Sequence, residues 1–305
     1  MDRPRRCRRT FVPSLIALAL TVAGCHTTSG ASRFEDAIAA LEGNGRLGVA
    51  VFDTGTGTIR GHRLDERFAM CSTFKLVLAA MVLDRAANGG RALDERLPVR
   101  REDLLRHAPV TGAAVEAAAA RGASAGEMTL AELAEAAQTR SDGVAANLLL
   151  RDVGGVAAFN AFCHAHGDPV SRLDRFEPEM NDVRDGDVRD TTTPRAMAAL
   201  VARLFGGGIA PSARQTLRQW AIDTGTGAAR VRAGLPAEWV AGDKTGTGGG
   251  DGVTVKCNDV VWIEPPGRAP LVVAVYYDTV VVAEWPNESD EAVLAEVGRI
   301  VARFW

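Results

Sequence analysis

A serine and a lysine three residues apart stand at the start of an apolar run, in the stretch FAMCSTFKLVLAAMVLDRA (68–86). The helical spacing of that run predicts that Ser72 and Lys75 lie one turn apart on the same face. A lysine on a buried face loses hydration, so another group must offset that cost. The pair could be a nucleophile and its proton acceptor. The alternative is an N-cap serine beside a lysine whose ammonium reaches solvent.

Three later segments hold polar residues that could complete such a site. TRSDGVAANLLL (139–150) places Ser141 and Asp142 at a helix start, where Asp142 suits a cap. DRFEPEMND (174–182) is a polar loop with carboxylates, and AGDKTGTGGG (241–250) is a strand edge whose glycines let a ligand approach. Together they offer a second cation, amides for an oxyanion and a carboxylate to activate water. This set predicts acyl transfer through a serine ester, followed by hydrolysis.

Four motifs occur in the order and spacing of class A serine β-lactamases: S-T-F-K at 72–75, S-D-G at 141–143, E-P-E-M-N at 177–181 and K-T-G-T at 244–247. One such motif alone would be weak, because it arises often by chance, but all four in order are specific. The chain resembles this family from Arg33 to Trp305. The resemblance implies hydrolysis of the β-lactam amide bond, with β-lactam antibiotics as substrates and antibiotic resistance as the result. It implies neither a metal nor an organic cofactor.

The same resemblance implies a role for each catalytic residue. Ser72 attacks the β-lactam carbonyl, Lys75 accepts a proton during acylation, and Ser141 relays a proton to the lactam nitrogen. Glu177 activates the hydrolytic water, and Asn181 holds that water. Whether Lys75 or Glu177 is the base for acylation stays open.

A run on the late strand edge is assigned to substrate binding. Its members are Lys244, Thr245, Gly246 and Thr247. Lys244 and Thr245 recognise the substrate carboxylate, and Thr247 lends its amide to the oxyanion hole and its hydroxyl to the carboxylate. Some family members add an arginine to this carboxylate site. Here that role is assigned to Arg230, with Lys256 and Arg232 as weaker candidates, because Cys257 precedes Asn258-Asp259 where many members have the arginine.

The chain departs from the family pattern at two positions that face substrate in its relatives. Gly143 stands where most members have an asparagine whose amide grips the acylamino side chain of the substrate. We therefore expect an altered substrate preference rather than a loss of activity. His107 falls where the family usually has an aromatic residue at the rim, although a solvated surface histidine is an equal alternative. Arg175 and Asp190 match the ion pair that closes the loop around Glu177.

Cysteines and histidines offer two further patterns. Beyond the signal segment and Cys25, the chain has three cysteines: Cys71, Cys163 and Cys257. Cys71 could form a disulfide with Cys257 or remain a buried free thiol, and we favour the free thiol. CHAHGDP (163–169) resembles the zinc motif of the unrelated metallo-β-lactamases. Residues two apart on a helix point to different faces, so we interpret this segment as a helix end closed by Gly167.

The predicted elements place strands at both ends of the chain and helices between them. RLGVAVFD (46–53), TIRGHRLD (58–65), VTVKCNDVVWIEP (253–265) and PLVVAVYYDTVV (270–281) have strand patterns. We predict an α+β fold, with an antiparallel five-stranded sheet built from both termini, flanked by helices and carrying an inserted all-α lobe. The sheet lobe comprises 33–71 and 221–305, and the all-α lobe comprises 72–220. A cleft between the lobes is the expected site.

The first 24 residues have the pattern of a secretory signal, with basic MDRPRRCRR before apolar FVPSLIALALTVAG. VAGC, ending at Cys25, resembles a lipoprotein processing box, and plain signal cleavage is the alternative. Residues 25–32 would then form a tether. The sequence thus predicts an exported, periplasmic protein that contacts a membrane only through a lipid on Cys25. A formal charge of −3 argues against a nucleic-acid partner, and a monomer is the default.

Two other functions share part of this pattern. A penicillin-binding D-alanyl-D-alanine peptidase or transpeptidase uses the same serine and lysine but forms long-lived acyl-enzymes. A non-catalytic β-lactam sensor domain would be tethered to a signalling membrane module. Glu177 in EPEMN favours the hydrolase, because a carboxylate at this place supplies rapid deacylation.

Overall fold

The computed structural model describes Met1 and residues 30–250, 252–283 and 285–305. The predicted signal segment, Cys25 and most of the predicted tether lie outside the described residues. The first helix, α1, spans Gly30–Ala39. This helix therefore begins three residues before residue 33, the predicted start of the sheet lobe. Its first residues belong to the predicted tether, 25–32.

The central element is one antiparallel sheet of five strands in the order β2-β1-β9-β8-β7. Its strands are β1 (Arg46–Asp53), β2 (Ile59–His62), β7 (Val240–Gly250), β8 (Val253–Glu264) and β9 (Leu271–Val282). β1 pairs with β9 along its whole length, so the two ends of the chain meet in the middle of the sheet. The predicted five-stranded sheet from both termini is confirmed. β2 is shorter than predicted, because Arg63 adopts a left-handed backbone with φ of 45° directly after it.

Alternating residues of the strands face two separate cores. Val49 and Val51 pack with α1 and the C-terminal helix, whereas Ala50 between them packs with the helices on the opposite face. This is the period of two that a strand imposes when both of its faces are covered. Both faces of β8 and of most of β9 are covered, which explains the nearly continuous apolar sequence of β9 and the burial of the polar residues of β8.

The remaining helices cover the sheet and build the helical lobe. They are α2 (Phe74–Ala87), α3 (Thr111–Ala120), α4 (Leu130–Thr139), α5 (Gly143–Val153), α6 (Gly155–Ala165), α7 (Pro194–Arg203), α8 (Pro211–Ile222) and α9 (Glu288–Phe304). α2 is the hub of the lobe, with its first ten residues all buried. A helix that is apolar on every side must be surrounded, and α2 packs against α4, α5 and α8.

Two short sheets complete the fold. They are β3 (Phe68–Ala69) with β6 (Thr191–Thr192), and β4 (Arg96–Arg100) with β5 (Ala125–Thr129). The segment predicted as all-helical, 72–220, therefore also carries β4, β5 and β6. Strands of two to five residues give too little alternation to be recognised from sequence. Among the described residues, no helix has the length and apolarity needed to cross a membrane.

Candidate active site

A cavity of about 800 Å³ lies between the edge strand β7 and the helical lobe. Its walls include Ser72, Lys75, Ser141, Glu177, Thr245 and Thr247. The four motifs are far apart along the chain, and the fold brings a residue of each to one cleft. The predicted cleft between the lobes is thus present in the structure.

Ser72 lies in a short 3-10 turn, Cys71–Thr73, that leads into α2. The turn begins with a left-handed residue, since Cys71 has a φ of 45°. The N-cap of α2 is Thr73, whose hydroxyl donates to the carbonyl of Met70 at 2.8 Å. The Ser72 hydroxyl donates instead to Glu177 Oε1 at 3.3 Å. The alternative of an N-cap serine is therefore wrong, and the hydroxyl faces the cavity.

Lys75 is buried, with only 1% of its side chain exposed. Its Nζ lies 2.8 Å from Glu177 Oε1 and donates to the carbonyl of Ser141, also at 2.8 Å. The alternative of an ammonium reaching solvent is therefore wrong. A carboxylate and a carbonyl offset the lost hydration of the ammonium, as a buried charge requires.

Glu177 is held by several partners that fix its carboxylate. Burial raises its pKa, but the charge of Lys75 and the hydrogen bonds from Lys75, Asn181 and Ser72 outweigh burial and leave the pKa below its ordinary value. Asn181 donates to Oε2 at 2.7 Å, while Oε1 faces Lys75 and Ser72. The carboxylate is therefore ionised at neutral pH and can accept a proton.

Asn147 on α5 also fixes Glu177, although the sequence analysis did not single it out. Its side chain donates to the Glu177 carbonyl at 2.8 Å and accepts from the Glu177 amide at 3.0 Å. The signal in the sequence is one asparagine within the apolar run VAANLLL. A buried amide needs partners, so such an asparagine marks a contact with a polar segment.

Ser141 and Asp142 form the turn that starts α5. Asp142 caps the helix by accepting from the Ala145 amide at 2.9 Å, as predicted, and also accepts from the amide and hydroxyl of Thr111. Ser141 has a left-handed φ of 56°. Its hydroxyl accepts from Lys244 Nζ at 3.1 Å, which joins the S-D-G turn to β7 across the cavity.

Lys244 is a second buried cation. Burial, and after it the charge of Lys75, lowers the pKa of Lys244 well below its ordinary value. Its Nζ also donates to the Thr245 carbonyl at 2.7 Å. Thr245 shares a hydrogen bond with the hydroxyl of Thr226 at 2.6 Å. An anion that enters here would favour the charged form of Lys244, so this end of the cavity suits a carboxylate.

Of the three cationic candidates for this end of the cavity, Arg230 lines the wall. Its guanidinium donates to Thr247 Oγ1 at 2.9 Å and to the Gly246 carbonyl at 3.0 Å, and it pairs with Glu291 at 3.1 Å. Arg232 pairs instead with Asp243, and Lys256 pairs with Asp278. The geometry therefore favours Arg230, whose role remains a prediction.

Gly143 and His107 meet at the other end of the cavity. The Gly143 amide donates to the His107 carbonyl at 3.0 Å, and the His107 ring is exposed, with Nε2 3.2 Å from the Arg140 carbonyl. A Cβ at Gly143 would lie 3.4 Å from the nearest atoms, the His107 carbonyl oxygen and Leu105 Cδ1. These are ordinary contacts, so the Cβ of an asparagine has room here.

We expect Gly143→Asn to lower the KM for penicillins by about tenfold, which corresponds to about 1.4 kcal/mol. The new amide would hydrogen-bond the acylamino group of the substrate. Gly143→Ala is the matched control, because it adds the Cβ without the amide and should leave KM unchanged. Steady-state kinetics with benzylpenicillin compare the three proteins. An unchanged KM in Gly143→Asn would show that another group already holds the acylamino side chain.

Arg175 and Asp190 form the predicted ion pair, with Nε 2.6 Å from Oδ2. Asp190 also accepts from the amides of Asp174 and Arg175. The pair ties together the two ends of the loop that carries Glu177.

Arg175→Gln is expected to slow deacylation about tenfold by loosening that loop. The melting temperature should fall by only about 2–4 °C, because Asp190 keeps both amide donors. Arg189→Gln is the control, since Arg189 is exposed and pairs with Asp187 inside the same loop. Decay of the acyl-enzyme and thermal melts separate the two effects. A lowered melting temperature with unchanged hydrolysis would contradict the prediction.

The cysteines of the described residues are free and buried: Cys71, Cys163 and Cys257. The expected buried thiol at Cys71 is confirmed, and burial raises its pKa to about 12.

The histidine segment, 163–169, is the predicted helix end. His166 Nδ1 lies 2.8 Å from the Phe162 carbonyl, and Asp168 accepts from the amides of Val170 and Ser171. No metal-ligand cluster of His, Cys, Asp and Glu occurs within the residues that the structure describes.

Comparison with known proteins agrees with this arrangement. Residues 31–305 match the beta-lactamase enzyme family. The chain is 44% identical over 303 residues to beta-lactamase L2 of Stenotrophomonas maltophilia, covering 96% of this chain and 95% of that protein. It is 39% identical over 299 residues to beta-lactamase CTX-M-8 of Citrobacter amalonaticus, covering 97% of each.

The fold also matches solved structures. An ancestral class A beta-lactamase, GNCA, superposes with a TM-score of 0.81 at 49% identity, covering 89% of this chain and 100% of that chain. The motif order, the cavity and these similarities agree, and the chain therefore belongs to the beta-lactamase enzyme family, in its class A.

Proposed function

We propose that this protein hydrolyses the amide bond of β-lactam antibiotics through an acyl-enzyme on Ser72, and so confers resistance to them. One observation supports this proposal most strongly. The Ser72 hydroxyl, the Lys75 ammonium and the Glu177 carboxylate form one hydrogen-bonded cluster in the cavity wall. A nucleophile in contact with a base and a cation is the arrangement that covalent catalysis requires.

Acylation begins when Ser72 Oγ attacks the lactam carbonyl, which forms an ester and breaks the C–N bond of the ring. The hydroxyl proton passes to the Glu177 carboxylate, whose Oε1 lies 3.3 Å from Ser72 Oγ and 2.8 Å from Lys75 Nζ, or to Lys75 in its neutral amine form. The second route stays open when Glu177 is removed. The proton taken from Ser72 is returned through Ser141 to the lactam nitrogen, and the Ser141 hydroxyl is held by Lys244. Glu177 is therefore again a carboxylate when deacylation begins. Amides of Ser72 and Thr247 are assigned to the developing oxyanion.

Deacylation requires a water molecule and a base. Glu177 takes a proton from that water while Asn181, bonded to the same carboxylate, orients it. The water attacks the ester carbonyl, the bond to Ser72 Oγ breaks, and the proton returns to Oγ. Thr245, Thr247 and Arg230, which line the β7 end of the cavity, are assigned to the substrate carboxylate. Lys244 is assigned to it as well, from its buried position behind the Ser141 hydroxyl.

The direct test is turnover of nitrocefin by purified protein. Many turnovers per Ser72 are expected, and they would exclude both a slow penicillin-binding peptidase and a β-lactam sensor. A single stoichiometric burst with no further hydrolysis would overturn the proposal. Rates on a penicillin, a cephalosporin and a carbapenem would then define the substrate range.

The pH dependence of deacylation follows from the lowered pKa of Glu177. The residue acts as a base only while it is ionised, so activity is retained above its pKa and is lost as the pH falls through it. Because that pKa lies below the ordinary value of a glutamate, the acid limb should lie below the pH at which an ordinary glutamate titrates. Decay of a preformed acyl-enzyme at several pH values measures the limb directly. A midpoint near pH 6 would contradict this prediction.

We also propose that the protein is exported to the periplasm as a monomer and is anchored there by a lipid on Cys25. The basic and apolar segments before VAGC support this location. Cys25→Ala should move the full-length protein from the membrane fraction to the soluble periplasmic fraction. Equal partition of both proteins would favour plain signal cleavage.

A further inference from the structure

Trp285 lies in the segment between β9 and α9, outside all four motifs, and it lines the mouth of the cavity. It is 53% exposed. Exposed apolar side chains that lie together at the mouth of a binding cavity indicate a contact surface. The exposed valines Val280, Val281 and Val282 precede it at the end of β9.

The Trp285 ring faces His107 across the cleft. The ring centroids are 6.2 Å apart and the planes are inclined by 59°. This is within the range of favourable aromatic pairs. Trp285 belongs to the sheet lobe and His107 to the helical lobe, so the pair spans the mouth of the cavity.

This pair stands at the Gly143 end of the cavity, since the His107 carbonyl accepts from the Gly143 amide. Leu105, Arg106 and Pro286, which neighbour the two rings along the chain, also line the cavity. Gly143 offers no side-chain amide to hold a substrate. The two rings and their apolar neighbours can therefore offer stacking and apolar contact to a substrate at this end.

We propose that Trp285 is a specificity-determining residue that contacts the acyl side chain of the substrate and favours β-lactams that carry an aromatic side chain. The inference rests on the proposed function, because it names the substrate class of that site. The side chain of a bound substrate would lie against the Trp285–His107 pair. Stacking then replaces the hydrogen bond that Gly143 lacks.

The test compares benzylpenicillin with 6-aminopenicillanic acid, which has the same ring system without the aromatic side chain. Trp285→Ala should lower kcat/KM for benzylpenicillin about tenfold, mainly through KM. The value for 6-aminopenicillanic acid should stay within about twofold. Trp285→Phe should restore most of the loss. Val280→Ala is the matched control, because Val280 is also an exposed apolar residue, 63% exposed, at the nearby end of β9.

Each outcome separates the two claims. An equal loss on both substrates, or no loss on benzylpenicillin, would overturn the role of Trp285 while the hydrolytic function stands. Failure of the unmodified protein to hydrolyse either substrate would overturn the proposed function itself.

Discussion

Glu177→Ala is expected to convert the enzyme into one that acylates and then stalls. Without the carboxylate, no group is placed to take a proton from water, and turnover should fall by about 10³-fold. Ampicillin should then add its whole mass to the protein, because ring opening adds the molecule without a leaving group. Mass spectrometry of the intact protein after brief mixing measures the adduct, and nitrocefin hydrolysis measures the turnover.

The control for this experiment is a second carboxylate in the same loop. Glu179 is exposed and two residues away, and Glu179→Ala should turn over without accumulating an adduct. Glu177→Gln guards against misfolding, because Lys75 loses its carboxylate partner in the alanine variant and a buried cation without a partner is costly. Steady turnover at the unmodified rate in either Glu177 variant would refute the assigned role.

Ser72→Ala should abolish both the adduct and the turnover. The ester can form only on Oγ, so the rate should fall by about 10⁴-fold or more. The fold should tolerate the change, because the Ser72 hydroxyl makes one side-chain hydrogen bond, at 3.3 Å to Glu177. Nitrocefin kinetics and a thermal melt test both statements.

A double variant, Ser72→Ala with Glu177→Ala, links the two predictions. The adduct expected in the Glu177 variant should vanish in the double variant if Ser72 carries the ester. An adduct of unchanged mass and yield would place the acyl group on another nucleophile and would overturn the mechanism.

The strands and most helices could be predicted because their signals are local. β1 is found at the predicted residues. α9 (Glu288–Phe304) differs only at its last residue from the helix that ESDEAVLAEVGRIVARFW (288–305) predicts. The alternating apolar residues of β1 can be recognised from the residues of that strand alone. The asparagine cap and the acidic first turn of α9 can likewise be recognised from neighbouring residues. β4, β5 and β6 were missed, because two to five residues carry little periodicity.

The candidate site also has features that local sequence predicts and features that it does not. The sequence by itself determined which residues could react, since Ser72, Lys75, Glu177 and Lys244 belong to motifs recognisable from type and spacing. It also determined that Asp142 would cap a helix, because capping depends on three neighbouring residues.

Only the tertiary structure decided which partners these residues meet. Ser72 and Glu177 are 105 positions apart, and their contact depends on how the loop, α2 and α5 pack together. Three further features also depend on contacts between separate segments of the chain. They are the choice of Arg230 over Arg232, the support of Glu177 by Asn147 and the pairing of Trp285 with His107. A local pattern records what a side chain can do, whereas burial, charge pairing and the shape of a cleft arise only when distant segments are packed against one another.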